Sequence, residues 1–448
     1  MSPKNFNRRQ FLKRATTMAA GTAALPYLVS ASALGQSDSV APSNRITIGN
    51  IGAGPQGFGV TSGLLHQKDA QVVAICDVKR EVREERRELV DKNYGSKGCE
   101  VYNDYRDLLA RDDIDGVVIG TPDHWHVLVG LEAARTGKDM YLEKPMGMSL
   151  AEDQALRDAV HRYGTVFQFG TQQRSEANFR QACELALNER IGKLHTIYVW
   201  APGSETRKHI PFSPVPDGFD YDLWLGPAPY RPYDENLCSS VWEKKYWWYH
   251  SDFALGFIAG WGIHPLDIAL WGGGKKLTGP VEVSGTGEFP TEGPTDTATK
   301  WMVTYKYAGG ITMKFTDHRI PDDWRQRFGV NDGHGTLFEG TEGWVHVDRG
   351  GINAHPKSLL KSVIGPNEIH LPKSNHHGRN FLDAIKTRGK TVSHIDDAVQ
   401  ADILCHLADI ATRLERKLVW DLENERFVND DQANRMLTRA MRSPWRLS

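Results

Sequence analysis

The stretch RITIGNIGAGPQGFG, residues 45–59, joins a short β-branched run to a glycine-rich turn. The run at residues 46–51 is typical of a buried strand, and Gly52, Gly54 and Gly57 follow it in the pattern GxGxxG. Glycines at these positions permit a tight turn from strand to helix, and they let a pyrophosphate approach the backbone at the helix N-terminus. The stretch therefore predicts a strand–turn–helix unit that binds a dinucleotide.

An acidic residue follows this turn at the spacing that dinucleotide binding requires. The next apolar run, QVVAICD at residues 71–77, ends in Asp77, which lies 20 residues after Gly57. A carboxylate there hydrogen-bonds the adenosine ribose, and its charge repels a 2′-phosphate. We therefore expect NAD(H) rather than NADP(H), although Lys79 and Arg80 partly offset that repulsion.

Strand and helix patterns alternate from residue 45 to residue 170. Short apolar runs are separated by amphipathic runs with helical spacing, which is typical of a doubly wound parallel sheet in an α/β domain of the Rossmann type. Ligands of such sheets bind at the carboxyl ends of the strands. The predicted cofactor-binding residues are therefore Gly52, Gly54, Gly57, Asp77, Thr121, Pro122, His126, Glu143 and Lys144.

The second half of the chain has a different pattern. Alternating runs rich in β-branched and aromatic residues, such as residues 279–289 and 297–307, are separated by glycine turns and predict the strands of a further sheet. Residues 376–389 and 393–415 have apolar side chains at helical spacing and predict amphipathic helices.

The first 33 residues have the features of an export signal. Arg8 and Arg9 precede an Ala-rich apolar run, and Ala-Ser-Ala at residues 31–33 matches the small-residue pattern of a cleavage site. We therefore expect a twin-arginine signal peptide at residues 1–33, a linker at residues 34–44 and a periplasmic mature protein. No segment has about 18 uninterrupted apolar residues, so no membrane span is expected.

Composition and charge argue against several classes of protein. Lys plus Arg number 54 and Asp plus Glu number 56, and the resulting net charge of −2 gives no reason to expect a nucleic-acid partner. The five cysteines are far apart and form no CxxC pair, which argues against a zinc site or a disulfide framework. His124 and His126 have no accompanying carboxylate or thiolate pattern, so no metal site is predicted.

Several motifs, in their order along the chain, resemble those of the Gfo/Idh/MocA oxidoreductases. They are the GxGxxG turn, Asp77, TPDHWH at residues 121–126, EKP at residues 143–145 and GWGIHP at residues 260–265. EGTEGWVHVDRGG at residues 339–351 further resembles a secreted branch of that family with twin-arginine signals. The resemblance covers nearly all of the mature chain.

The resemblance implies two domains. The family has a Rossmann domain, here residues 45–170, followed by an α/β domain, here residues 171–448. The large, open, mostly antiparallel sheet of the second domain covers the nicotinamide, and it is expected to mediate homo-oligomerisation. The helices near the C-terminus are expected to pack against that sheet or to return to the Rossmann domain.

Lys144 and His264 are the predicted catalytic residues. Proline restricts the residue before it to extended geometry, so Pro145 directs Lys144, which in the family hydrogen-bonds the hydroxyl being oxidised. His264 precedes Pro265 at the start of a helical run, where the helix dipole disfavours imidazolium and a neutral imidazole can accept a proton. A histidine that only caps the helix is the alternative, but the resemblance assigns the acid–base histidine of the family to His264.

The glycine-rich histidine motif departs from the family pattern. Polyol and sugar dehydrogenases of the family have Asp-x-Gly-x-His at this place, and here Gly260 replaces the aspartate. The acid normally helps to hold the substrate hydroxyls, so its loss argues against a plain inositol dehydrogenase and leaves room for a bulkier substrate. Asp267, one helical turn after His264, could assist the histidine, and both residues are candidate substrate contacts.

Aromatic and charged residues near these motifs are candidate substrate contacts. Tyr246 and Trp247 belong to an aromatic run, and aromatic faces suit the apolar faces of sugar rings. Arg174 follows the sixth predicted strand, where the family places a residue that faces substrate or cofactor. Packing for the aromatic pair and an ion pair for Arg174 are equally good interpretations.

We therefore predict an exported oxidoreductase with tightly held NAD(H) that acts on a hydroxyl of a sugar or glycoside. One alternative is a redox glycosidase or lyase on the same fold, in which transient oxidation permits elimination of the glycosidic bond and the hydride is then returned. A second alternative is a non-catalytic sugar-binding protein with structural NAD. Retention of both Lys144 and His264 argues against this last interpretation.

Overall fold

The computed structural model of the protein describes residues 40–239, 244 and 246–447. The predicted export signal at residues 1–33 lies outside the described residues. Residues 40–45, with a 3₁₀ helix at Pro42–Asn44, precede the folded unit that begins at Ile46. Within the described part of the chain, no helix combines the length and the apolar character needed to cross a bilayer.

Six parallel strands form the first sheet, in the order β3-β2-β1-β4-β5-β6. The strands are β1 (Ile46–Ile51), β2 (Ala70–Cys76), β3 (Glu100–Tyr102), β4 (Gly116–Ile119), β5 (Asp139–Leu142) and β6 (Phe167–Phe169). The connecting helices are α1 (Pro55–Leu65), α2 (Arg80–Tyr94), α3 (Tyr105–Leu109), α4 (Asp123–Arg135) and α5 (Leu150–Tyr163). The strand order reverses between β1 and β4, and in such sheets the ligand crevice lies at the carboxyl ends of the strands at this point.

Nine strands form the second sheet, in the order β13-β12-β11-β7-β10-β9-β8-β14-β15. Only the β7–β10 pair is parallel, so the sheet is mostly antiparallel. Its strands are β7 (Leu194–Ala201), β8 (Pro280–Glu288), β9 (Lys300–Tyr307), β10 (Thr312–Asp317), β11 (Gly335–Gly340), β12 (Trp344–Asp348), β13 (Gly351–His355), β14 (Leu418–Asp421) and β15 (Arg426–Phe427). Together the two sheets confirm the predicted α/β architecture.

The remaining helices belong to the second half of the chain. They are α6 (Ala177–Leu187), α7 (Tyr221–Leu225), α8 (Phe257–Gly260), α9 (Ile263–Gly273), α10 (Asp322–Phe328), α11 (His377–Thr387), α12 (Ile395–Leu414) and α13 (Asp431–Arg435). Short 3₁₀ helices lie at Gln172–Ser175, Trp247–Tyr249, Gly274–Leu277 and Lys357–Lys361.

Helix α12 joins the two halves of the fold. It contacts β8 and β9 of the second sheet, β6 of the first sheet, and helices α5 and α9. Most of its 20 residues are buried, and its alanines permit close approach of the neighbouring elements. Helix α11 contacts α1, the helix that follows the glycine-rich turn. These contacts place the loop after β5 beside helix α9, and therefore Lys144 near His264.

Candidate active site

The first cavity lies at the carboxyl ends of the strands of the parallel sheet. It encloses about 1170 Å³, including its open mouth. Most of the predicted cofactor-binding residues lie in its wall, namely Gly52, Gly54, Asp77, Thr121, Pro122, His126, Glu143 and Lys144. Trp247, which was predicted to contact the substrate, lies in this wall as well.

Glycine occupies the three positions of the turn for different structural reasons. Gly52 has a φ of +79°, and a Cβ there would lie 2.5 Å from the Thr121 backbone nitrogen. A Cβ on Gly57 would lie 2.2 Å from the Gly52 carbonyl oxygen, so both positions are restricted to glycine by close backbone packing. Gly54 has no neighbour within 4 Å of an added Cβ and lines the cavity. Its missing side chain therefore leaves open the space that a pyrophosphate needs at the N-terminus of α1.

Asp77 links the glycine-rich turn to the loop that follows β2. Its Oδ2 accepts a hydrogen bond from the Ala53 backbone N–H at 2.9 Å, and its Oδ1 accepts one from the Lys79 N–H at 2.9 Å. Burial raises the pKa of the Asp77 carboxyl, against the effect of these two donors. The Nζ of Lys79 donates to the Cys238 carbonyl at 2.5 Å, so the ammonium group is held by the second half of the chain.

His126 connects two loops of the cavity wall. Its Nδ1 lies 2.6 Å from the Pro145 carbonyl oxygen, and its Nε2 lies 2.9 Å from the Thr121 carbonyl oxygen. Burial lowers the pKa of His126 to about 4. The Thr121 hydroxyl, in contrast, is buried and has no hydrogen-bond partner among the described residues. This orphaned hydroxyl, together with the space at Gly54, fits a cavity that binds a dinucleotide.

A second cavity of about 1050 Å³ adjoins the first. Four residues line both cavities, namely Gln56, Asp123, Lys144 and Trp248. The other residues of the second wall are Pro145, Gln172, Glu176, Gly256, Phe257, Gly260, Trp261, His264 and Arg349. The shared residues mark the place where the reactive end of a dinucleotide would meet a second molecule.

Lys144 is fixed at this junction by contacts on both sides. Its Nζ donates to the Gly260 carbonyl at 3.1 Å, and its peptide bond to Pro145 is cis. The buried Glu143 side chain beside it accepts hydrogen bonds at Oε1 from the Gln56 and Gln172 amides, at 3.0 and 3.2 Å. Burial raises the pKa of Glu143, and the charge of Lys144 opposes this effect.

The loop after Lys144 is held by two buried carboxyl groups. Asp402 on α12 accepts a hydrogen bond at Oδ2 from the Met146 N–H at 2.5 Å, and Glu152 accepts one at Oε2 from the Met148 N–H at 2.8 Å. Burial raises the pKa of both carboxyl groups. Helix α12 therefore helps to set the position of Lys144 although it is far from it in sequence.

The sequence suggested that α9 begins at the histidine, but the helix begins at Ile263. His264 is therefore its second residue. The side chain is 4% exposed, and its Nδ1 is buried without a hydrogen-bond partner among the described residues. Burial, followed by the charges of Lys144 and Arg349, lowers the pKa of His264 well below its ordinary value. The imidazole is therefore neutral at neutral pH and is available as a proton acceptor.

The structure places Arg174 and Asp267 in an ion pair instead of a cavity wall. Arg174 donates from Nε and Nη2 to the two carboxylate oxygens of Asp267, at 2.8 and 2.6 Å, and from Nη1 to Asp397 at 2.5 Å. Neither Arg174 nor Asp267 lines either of the two cavities. The ion pair, one of the two interpretations that the sequence allowed for Arg174, is therefore what the structure shows, because a buried guanidinium requires carboxylate partners and these have taken its donors. The pair joins α9, which carries His264, to α12.

The aromatic run also differs from the expectation. The hydroxyl of Tyr246 donates to Asp234 at 2.5 Å, and the side chain is 1% exposed and lines neither cavity. Trp247 lines only the first cavity, whereas Trp248 lines both. Trp248, one residue further along the chain, therefore lines the second cavity, whereas Tyr246 and Trp247 do not.

Sequence reasoning missed several residues of the second cavity. Asp123 lies within the TPDHWH motif, and its position at the carboxyl end of a strand was a usable signal. Glu176 precedes α6, and Arg349 lies in the turn between β12 and β13, where no local pattern indicated a site. The Arg349 guanidinium carbon lies 4.7 Å from the centroid of a Trp261 ring. These side chains meet only because distant segments come together.

Metal-ligand clusters are not found in the described part of the chain. No group of three or more His, Cys, Asp or Glu side chains there could hold a metal ion. The five cysteines are buried and unpaired.

Comparison with known proteins places the chain in a family. Residues 46–171 match the family model "Oxidoreductase family, NAD-binding Rossmann fold", and residues 185–447 match "Oxidoreductase family, C-terminal alpha/beta domain" of the Gfo/Idh/MocA proteins. A glycosyl hydrolase family 109 protein of Shewanella baltica is 32% identical, and the alpha-N-acetylgalactosaminidase of Shewanella oneidensis is 33% identical. Each match covers 35% of this chain and 38% of the relative, so the aligned part is well under half of either protein.

Solved structures share the fold. The aldose–aldose oxidoreductase of Caulobacter crescentus, complexed with glycerol, superposes with a TM-score of 0.61 at 17% identity, over 84% of this chain and 99% of that one. The scyllo-inositol dehydrogenase of Lactobacillus casei, with bound NAD(H) and scyllo-inositol, gives 0.56 at 16% identity over the same shares. The motifs, the two sheets and the family models agree, and the chain therefore belongs to the Gfo/Idh/MocA family of oxidoreductases, with an NAD-binding Rossmann domain and the C-terminal α/β domain of that family.

Proposed function

We propose that the protein is an NAD(H)-dependent oxidoreductase that acts on a ring hydroxyl of a sugar or glycoside. The observation that supports this most is the position of Lys144 and His264, which line one cavity that opens onto the dinucleotide cleft. Bound nicotinamide would accept the hydride from, or return it to, the carbon that carries the hydroxyl. The residues of the first cavity would hold the dinucleotide, with Asp77 at the adenosine ribose and the glycine-rich turn at the pyrophosphate.

Lys144 would orient the reacting hydroxyl. An ammonium group has three donors, and the Gly260 carbonyl takes one of them. The other two have no acceptor among the described residues, and they would point at the substrate oxygen and stabilise the negative charge that develops on it. Because the loop after Lys144 is held by buried carboxyl groups, the lysine would not need to reorganise when the substrate binds.

His264 would accept the hydroxyl proton. Its buried neutral ring faces the same cavity, and the low pKa favours release of the proton after the oxidation step. Trp248, Trp261 and Phe257 line this cavity and offer flat apolar faces for a sugar ring. Gly260 also lines it, so the position at which relatives have an aspartate adds no side chain to the cavity wall beside Lys144.

A second candidate function is a redox glycosidase, in which the same oxidation is followed by elimination and return of the hydride. The similarity to proteins named glycosyl hydrolase family 109 favours it. The oxidation step is common to both candidates. A non-catalytic sugar-binding role is disfavoured because a binding site alone would not need a buried neutral histidine beside a fixed lysine.

Export, cofactor retention and oligomerisation belong to the same proposal. We infer a periplasmic protein from the twin-arginine pattern and a tightly held NAD(H) from the scarcity of free NAD(H) outside the cytoplasm. We further infer a homo-oligomer formed through the second sheet.

The test uses the purified mature protein. Nicotinamide that co-purifies is measured by its absorbance and fluorescence, and a panel of sugars and glycosides is then added. We expect reduction of the bound nicotinamide by at least one sugar, and a loss of about 10²–10⁴ in its rate in His264→Ala and Lys144→Ala. An absence of any spectral change with the whole panel would contradict the proposal.

A further inference from the structure

The second cavity contains more proton-transfer groups than the oxidation of one hydroxyl requires. Among the described residues that line it, Lys144, His264, Asp123 and Glu176 have side chains that can exchange protons. Oxidation of a hydroxyl to a ketone releases one proton, which His264 accepts under the proposed function, while Lys144 orients the oxygen. The two carboxyl groups have no part in that step.

Asp123 is placed at the junction of the two cavities. It is the first residue of α4, is 4% exposed and lines both cavities. Its carboxyl group forms no ion pair or hydrogen bond with another side chain of the described residues. Burial raises the pKa of Asp123 well above its ordinary value, although the charge of Lys144 acts in the opposite direction. A carboxyl group that is kept neutral in this way is a proton donor.

Glu176 differs from Asp123 in burial and position. It immediately precedes α6, is half-buried and lines only the second cavity. Within the described chain its carboxylate makes no salt bridge, and Arg349 is the nearby charge that acts on it. Burial raises the pKa of Glu176, which makes its carboxylate a better proton acceptor.

We propose that Asp123 and Glu176 are the acid and the base of an elimination that cleaves a glycosidic bond after a ring hydroxyl has become a ketone. This inference rests on the second form of the proposed function. The Glu176 carboxylate takes the proton from the carbon next to the ketone, and the electrons of that C–H bond form a C=C bond. The C–O bond of the next carbon breaks, its electron pair stays on the departing oxygen, and this oxygen takes the proton of Asp123.

Addition of water completes the cleavage. Water adds to the carbon that lost the glycosidic oxygen and gives a proton to the Asp123 carboxylate. The neighbouring carbon takes back the proton held by Glu176. Both carboxyl groups therefore return to their starting states, and the net change of these steps is hydrolysis of the keto-glycoside. Return of the hydride to the ketone carbon, with the proton from His264, then gives the hydrolysed sugar.

Glycosides that already carry the ketone test this step without the oxidation. They are supplied directly to the protein, with and without nicotinamide, as the methyl and the p-nitrophenyl keto-glycoside. In Asp123→Asn, release of methanol is expected to fall by about 10²–10⁴, because an alkoxide needs a proton to depart. Release of p-nitrophenolate is expected to change little, since that anion leaves without one.

The Glu176→Gln variant tests the base in deuterated water. Incorporation of deuterium at the carbon next to the ketone is expected to fall by about 10² for both keto-glycosides. Asp323→Asn, which changes an exposed carboxyl group outside both cavities, is the matched control and is expected to behave as the wild type in both assays.

A spectroscopic measurement tests Asp123 without turnover. The infrared spectrum of the protein without cofactor or substrate is expected to show the C=O stretch of a protonated carboxyl group that disappears in Asp123→Asn. If that variant does not fold, the rates of the two leaving groups are compared in the wild type alone. With an intact acid, methanol is expected to be released nearly as fast as p-nitrophenolate.

The outcomes separate this inference from the proposed function. Equal loss of both leaving groups in Asp123→Asn, or a wild type that releases no aglycone from either keto-glycoside, would overturn the inference even if sugars reduce the bound nicotinamide. If the protein cleaves the keto-glycosides but no sugar reduces its bound nicotinamide, the result would support the inference and contradict the oxidation step of the proposed function.

Discussion

The two cavities of the candidate site are built in different ways. The first draws most of its wall from residues 51–144, where short motifs follow one strand after another. The second is assembled from segments around residues 123, 144 and 176, from residues 248–264 and from a hairpin turn at residue 349. The first cavity therefore depends on local backbone geometry, and the second depends on contacts between distant segments.

This difference explains where specificity lies. A dinucleotide presents the same pyrophosphate and riboses to every protein that binds it, so short motifs of fixed geometry are sufficient to hold these groups. The second cavity, which binds the substrate under the proposed function, gains its shape from elements later in the chain, such as α9 and α12. Substitutions that separate local from distant contributions are therefore the informative ones.

The ion pair behind the second cavity has the largest expected effect. Arg174→Met leaves the buried carboxylate of Asp267 without its partner, which is expected to lower the free energy of unfolding by about 3–5 kcal/mol, as measured by urea denaturation. Replacing both partners, in Arg174→Met/Asp267→Leu, is expected to recover much of that loss. A loss under about 1 kcal/mol in the single variant, as for a surface ion pair, would contradict the role of distant contacts.

Protonation of a wall histidine gives the next effect. In the unfolded chain the pKa of His126 is about 6.5, whereas in the folded chain burial lowers this pKa to about 4. Between these values the unfolded chain binds more protons, so the free energy of unfolding falls as the pH falls. Between pH 7 and pH 5 this difference in proton binding is expected to lower the free energy of unfolding by about 2 kcal/mol.

The measurement compares urea denaturation of the wild type and of His126→Gln at the two pH values. The variant lacks this proton uptake, so its stability should depend less on pH than that of the wild type. Equal pH dependence in the two proteins would show that His126 is not held neutral by burial.

The glycines of the first cavity distinguish folding from binding. Gly57→Ala is expected to lower the free energy of unfolding by about 1–3 kcal/mol, because its Cβ meets the Gly52 carbonyl. The Cβ added in Gly54→Ala has no neighbour within 4 Å, so this variant is expected to keep the stability of the wild type. Its affinity for NAD, measured by calorimetry, is expected to fall. If both variants lost stability equally, the space at Gly54 would not be reserved for a ligand.

Gly260→Ala has the smallest expected effect on stability. The closest atom to an added Cβ is a Phe257 ring carbon at 3.6 Å, and the backbone has no left-handed conformation. We expect the melting temperature to stay unchanged, with a change in the free energy of unfolding within about 0.5 kcal/mol. The KM for large glycosides is expected to rise more than the KM for small sugars. A marked loss of stability would mean that glycine serves the fold here and not the substrate space.

Much of the fold followed from sequence patterns. The GxGxxG turn, Asp77 and the alternation of strand and helix predicted the parallel sheet, and the β-branched runs with glycine turns predicted the second one. Lys144 lies on the wall of the first cavity, where the strand pattern predicted a ligand site, because the carboxyl ends of parallel strands meet at one edge of the sheet. The sequence left the positions of Arg174, Asp267 and Tyr246 undecided, since it does not show which buried polar groups find partners inside the protein.

The sequence by itself determined the dinucleotide cleft and the family, because close backbone packing in a tight turn permits only glycine and leaves a readable pattern. It also indicated His264, through its place at the start of a helical run together with the resemblance to the family. Only the tertiary structure decided the rest of the second cavity, which Asp123, Glu176, Trp248 and Arg349 line together. The physical reason is that proton transfer and sugar binding depend on burial and on neighbouring charges. These properties arise only when segments far apart in the chain are packed together.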